Sequence, residues 1–116
     1  MGKKEKAATE SRQVRILDEA FRDIEQLADF IANNNQQPLN AVKVTETIFE
    51  TITKIGQNPF AFKECEQLTT KTKMYRRAVC LSWIIIYKIT KPGILILGVI
   101  HGSRNPSKIR KLRKLK

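Results

Sequence analysis

Apolar residues crowd into two short runs near the end of the chain, separated by Lys91-Pro92-Gly93. The first reads Trp83-Ile84-Ile85-Ile86-Tyr87-Lys88-Ile89, the second Ile94-Leu95-Ile96-Leu97-Gly98-Val99-Ile100-His101. β-Branched and aromatic residues on either side of a Pro-Gly signal predict strand, turn, strand. Tyr75 to Cys80 predicts a strand before them, reversed tightly at Leu81-Ser82, so that three strands form a meander. Each run is too short to cross a membrane as a helix. Alternation puts Trp83, Ile85, Tyr87 and Ile89 on one face of the sheet, with Ile84, Ile86 and Lys88 on the other. The same rule sets Ile94, Ile96 and Ile100 against Leu95, Leu97 and Val99, so both faces are apolar.

Upstream the period changes. Gln13 to Leu17 alternates like a short strand. Asp18 stands where a helix N-cap belongs, and Ala20, Ile24, Leu27, Ala28 and Ile31 follow at helical spacing, with Phe21 beside them. This helix is expected to end in Asn33-Asn34-Asn35. Pro38 starts a second helix with a stripe of Val42, Thr45, Ile48, Phe49, Ile52 and Ile55, stopped by Gly56 and Asn58-Pro59. The two form an αα-hairpin laid across one face of the sheet. Phe60 to Lys73 is a polar connection pinned to the core by Phe60 and Phe62. The expected organisation is a flexible tail over 1–12, one domain over 13–104 and a basic tail or helix over 105–116, with Asn105-Pro106 able to start that helix.

The other face of the sheet needs a cover, since large apolar patches are unusual on soluble proteins. Either the C-terminal segment, with Ile109, Leu112 and Leu115 spaced by three, folds back over it, or a partner binds there. The partner is the expectation, with Ile84, Ile86, Leu95 and Leu97 as its contacts.

Charge sharpens the picture. Residues 1–66 hold 9 Lys and Arg against 11 Asp and Glu, whereas residues 67–116 hold 13 Lys and Arg and no carboxylate side chain. Such a half points to a polyanionic or acidic partner. Met1 to Arg12 has no apolar core of an export signal, and no transmembrane run follows, so a cytoplasmic protein is expected. Cys65 and Cys80 lack metal-ligand spacing and read as reduced thiols, Cys80 as a buried small hydrophobe. Neither a metal nor a cofactor is expected.

The ordered set carries a resemblance. An Ile16-Leu17 strand end runs into Asp18-Glu19-Ala20, and Asn58-Pro59 follows the second helix. Then come Tyr75-Arg76-Arg77, Ile85-Ile86-Tyr87 and Val99-Ile100-His101-Gly102-Ser103-Arg104. From about Val14 to Arg104 the chain resembles the RelE/ParE superfamily of toxins from type II toxin–antitoxin modules, the systems associated with plasmid stabilisation. The resemblance implies an α+β fold: an N-terminal strand, an αα-hairpin and a three-stranded antiparallel meander, helices on one face. It also implies growth inhibition, and neutralisation by an antitoxin within a hetero-oligomer.

That superfamily has two kinds of target, messenger RNA on the ribosome and DNA gyrase. RNA cleavage needs a base, an acid and cations around the phosphate. The ribonuclease branch has an arginine at the start of the third strand of the domain, in a pattern like Arg-Leu-Val-Tyr. Here that run is Ile84-Ile85-Ile86-Tyr87, and isoleucine cannot donate to a phosphate. The resemblance therefore favours the gyrase-binding, non-enzymatic branch. A metal-independent endoribonuclease remains the alternative, with His101, Tyr87 and Arg77 as its catalytic candidates. Arg76, Arg77, Arg104, Lys108 and Arg110 are the candidates for gripping the target, whether protein or nucleic acid.

Overall fold

The computed structural model describes residues 13–102 and 106–115. Strand β1 (Gln13–Ile16) leads into helix α1 (Asp18–Asp29), which relaxes into a wide π-turn over Phe30–Asn34. Helix α2 (Pro38–Gln57) returns antiparallel to it. A two-residue strand β2 (Lys63–Glu64), then β3 (Tyr75–Cys80), β4 (Trp83–Ile89) and β5 (Gly93–His101) complete one five-stranded sheet. The chain closes with helix α3 (Pro106–Lys111) and a tight turn over Leu112–Lys114. Strand order is β1-β5-β4-β3-β2, antiparallel except where β1 runs parallel to β5. The predicted strand, helix pair and meander are all present. The tail expected over 1–12 and the cap expected at Asn105 lie outside the described residues.

Strand β2 is an addition to the sequence reading. Two residues inside a polar connection carry no period of their own, and only pairing with Arg76 and Arg77 defines them. Asp18 also differs from expectation: it is the first helical residue, its charge near the helix dipole, while Leu17 takes the cap position without a side-chain bond. Gly93 allows β1 to join the sheet. A Cβ there would stand 2.2 Å from the Gln13 carbonyl oxygen, so only glycine lets the two backbones meet.

The first core lies between the hairpin and the sheet. Ala20, Ile24, Leu27 and Ile31 from α1 and its π-turn are buried, as their spacing requires. On α2 the buried stripe is Ala41, Val44, Ile48, Ile52 and Ile55. The predicted stripe was rotated at its start: Val42 is 56% exposed and Phe49 37%. Both spacings are helical, and only the contact with the sheet chooses between them. Phe62 packs on this core and meets Tyr87 edge-on at 6.3 Å, whereas Phe60 stays half exposed.

The second core corrects the expectation of an open face. Ile86 and Leu97 have no exposed surface, and Ile84 and Leu95 are partly buried. The cover is the chain itself: Leu17, Cys65, Leu68, Ile109 and Leu112 join them in one cluster. Ile86 and Leu97 therefore offer no open contact to a partner. Helix α3 is amphipathic, as the spacing of Ile109 and Leu112 suggests, and it docks on its own sheet.

The faces of β5 also differ from simple alternation. Tyr87 pairs with Ile96 but Ile86 pairs with Gly98, so Leu97 is the extra residue of a bulge. Beyond it the faces exchange: Val99 joins Ile94 and Ile96 in the first core, and Ile100 joins Leu95 and Leu97 in the second.

Ile86→Ala should cost about 2–5 kcal/mol, the range for emptying a buried aliphatic site. The more exposed Ile84→Ala should cost clearly less. Urea unfolding of the two variants checks the order, and equal losses would mean that the second face is not closed.

Candidate functional site

The sheet carries the candidate residues at separate places. His101 ends β5 opposite Trp83, and the two rings meet edge-on with centroids 5.0 Å apart. Both line a cavity of about 370 Å³ with Asp23, Gln26, Phe30 and Lys108. His101 is exposed, and Lys108 lines the same cavity.

Tyr87 lies four residues further along β4 than Trp83, about 13 Å away at strand rise. Its side chain is wholly buried, and its hydroxyl donates to the Pro59 carbonyl at 2.6 Å. Burial pushes the ionisation of that hydroxyl well above the ordinary tyrosine range, only partly offset by the nearby Arg76 guanidinium. The bond ties β4 to the end of α2.

Arg76 and Arg77 are successive strand residues and so face opposite ways. Arg76 is committed within the chain. Its Nε donates to the Lys73 carbonyl at 2.8 Å and its Nη1 to the carbonyls of Phe62 at 2.8 Å and Phe60 at 3.3 Å. Its guanidinium also lies over the Phe60 ring, 5.3 Å from the centroid. Arg77 pairs in register with Ile86 on the second face and is half buried. It stands near the Cys65 thiol, whose ionisation burial pushes up and Arg77 partly draws back down. Arg110 is exposed on α3. Arg104 lies outside the described residues.

Asp23 was missed by the sequence reading, which saw only a polar position of α1. Its Oδ2 accepts the Val99 N–H at 2.9 Å, and its Oδ1 pairs with Lys108 at 3.9 Å. Strand β1 ends at Ile96 in the register, so past that point the edge of β5 lacks a neighbour. The carboxylate substitutes for the missing strand. One side chain thus joins α1, β5 and α3. Gly98 leaves it room, for a Cβ there would stand 3.2 Å from Oδ2 and 3.3 Å from Leu112. Burial raises the Asp23 ionisation above the usual carboxylate value, outweighing the Val99 N–H and Lys108.

A second stretch missed by sequence lies at the far end of the sheet. Phe60, Thr72, Met74, Lys88, Ile89 and Lys91 border an open groove of about 720 Å³. Tyr75, paired in register with Lys88, is 4% exposed, with the Lys88 ammonium 5.6 Å and the Arg113 guanidinium 5.8 Å from its ring centroid. Among the described residues no group of His, Cys, Asp and Glu is arranged to hold a metal ion, and no helix is long and apolar enough to cross a membrane.

A strand, a two-helix hairpin and a meander closing one small mixed sheet define a class of compact α+β domains. The chain belongs to one family of that class: residues 14–106 match the ParE toxin of type II toxin–antitoxin system, parDE. A solved chain from a chromosomal ParDE TA system of P. aeruginosa has the same fold, with a TM-score of 0.62 over 78% of this chain and 96% of that one. Identity between the two is 14%. Comparison with curated proteins finds no match.

Tyr87→Phe should lower stability by about 1–2 kcal/mol, because the Pro59 carbonyl loses its donor in a dry site. The urea midpoint should fall while growth arrest is retained at matched soluble protein.

Asp23 gives a pH test. Its folded ionisation is raised, so between the unfolded value and that raised value the native state holds the extra proton. Its contribution to stability therefore falls as pH rises through that window. Asp23→Asn keeps an acceptor for the Val99 N–H and removes the slope. Urea midpoints should show the variant gaining on wild type as pH rises above about 4, the ordinary carboxylate value. A variant that loses ground as pH rises would contradict this account.

Proposed function

We infer that this ParE-family chain acts as a growth-inhibiting toxin by binding a protein target, DNA gyrase, and that a cognate ParD-type antitoxin neutralises it. The observation that carries the reading is the scatter of the candidate catalytic groups. His101 stands at one end of the sheet with Trp83, and Tyr87 leaves the same strand as Trp83 about 13 Å further along the backbone, its hydroxyl buried on the Pro59 carbonyl. Arg76 is held by three carbonyls, and Ile84 occupies the place of the ribonuclease arginine. General acid–base cleavage requires both groups within hydrogen-bond reach of one phosphate. A fully buried hydroxyl already donating to a backbone carbonyl does not meet that requirement.

The basic half supplies a different property. Thirteen Lys and Arg without a carboxylate in residues 67–116 create a positive field that speeds encounter with an acidic surface. Arg77, Lys108 and Arg110 belong to that surface in this reading. The antitoxin contacts once expected at Ile86 and Leu97 pass to exposed residues, since both side chains are buried.

His101→Gln separates binding from catalysis. Loss of a general acid or base lowers turnover by about 10²–10⁴-fold, whereas a rim contact costs little. Induced growth arrest and inhibition of gyrase supercoiling should both survive the substitution at matched soluble levels. Ribosome-dependent cleavage of messenger RNA by wild type, abolished in the variant, would establish the ribonuclease alternative instead.

A further inference from the structure

We propose that the groove across the end of the sheet, where β3 begins and β4 ends, binds an extended acidic peptide segment with one apolar anchor residue. The inference goes beyond the toxin's choice of target and stands on the groove's own chemistry. Its floor is aliphatic: Met74 and Ile89 are half buried, and the Ile89 N–H donates to the Met74 carbonyl at 2.7 Å to close it. Lys88 and Lys91 form the rim. No residue bordering the groove is a carboxylate, and all but Phe60 come from the stretch that contains none.

Volume and charge together select the occupant. About 720 Å³ open to solvent is ample for a large aliphatic side chain and the backbone on either side of it. Cations at the rim then favour carboxylates flanking that anchor. A nucleic acid fits less well. Single strands are held by stacking bases on open aromatic faces. Here Phe60 is the one aromatic residue among those bordering the groove, and its ring carries the Arg76 guanidinium. The groove thus presents positive charge and aliphatic surface with a single aromatic ring in place of a series of stacking faces.

Fluorescence anisotropy of the full chain with labelled twelve-residue peptides tests this. The probe has one central leucine flanked by glutamates and aspartates. One control replaces the acids by their amides, another replaces the leucine by serine, and a third probe is oligo-dT of the same length. The acidic leucine peptide should bind at least about tenfold more tightly than either peptide control. Lys88→Glu with Lys91→Glu should weaken it by a similar factor. If the double variant does not fold, Lys91→Glu alone, at an exposed turn position, should still weaken it measurably. Four outcomes overturn the proposal: no binding at about 1 mM peptide, equal binding of the serine control, tighter binding of oligo-dT, or indifference to the lysine changes.

Discussion

The β4–β5 ladder is apolar on both faces, and the rest of the fold answers that constraint. A sheet with one dry face can rest on a helix pair and leave its other side to water. This one cannot. The hairpin of α1 and α2 covers Ile85, Tyr87, Ile94, Ile96 and Val99, while Cys65, Leu68, Ile109 and Leu112 cover Ile86, Leu97 and Ile100. Three layers follow from a few strand residues. Asp23 links the layers, because α1, β5 and α3 all meet its carboxylate. Its burial is unfavourable for the charge, and the unpaired edge of β5 explains why a carboxylate stands there.

Much of this arrangement was legible in the residues. The strands from Tyr75 to His101 have a period and composition that read as a meander, and the stripe of α1 holds at Ala20, Ile24, Leu27 and Ile31, while Ala28 is only half buried and Phe21 is exposed. The misreadings share one cause: local pattern cannot report tertiary contact. Val42 and Val44 are equally good helix-face residues, and only the position of the sheet buries the second. Leu97 hides a bulge because the run around it is apolar whichever way each side chain points. The C-terminal segment is written like a surface helix, dense in lysine and arginine. Three apolar residues spaced by three, Ile109, Leu112 and Leu115, pack it on the sheet, while the long basic side chains remain in water.

The candidate site was less legible, for a related reason. A residue type names a chemistry, but its burial decides whether the chemistry is available. Tyr87 and Arg76 were candidates by type, and both are structural by position. The tyrosine hydroxyl closes the end of α2 onto β4, and the arginine holds the connection after α2 by its carbonyls. The groove beside Lys88 shows the converse. Phe60 and Lys91 lie far apart in sequence, and Met74 and Ile89 read individually as ordinary strand-end hydrophobes.

The distribution of work between the two faces bears on the mode of action. Catalysis on a phosphodiester requires charged groups gathered at one solvent-facing point. In this chain the cations spread over the sheet's end, α3 and the connecting segments, and several are held by rings and carbonyls of the chain itself. Spread charge gives a broad field and many weak contacts, which suits recognition of an extended acidic surface. The same apolar cover that closes the second face makes this possible, because α3 brings its cations to the sheet only by burying Ile109 and Leu112. Fold stability and the basic surface are therefore coupled through one short helix, and a change that loosens α3 alters both.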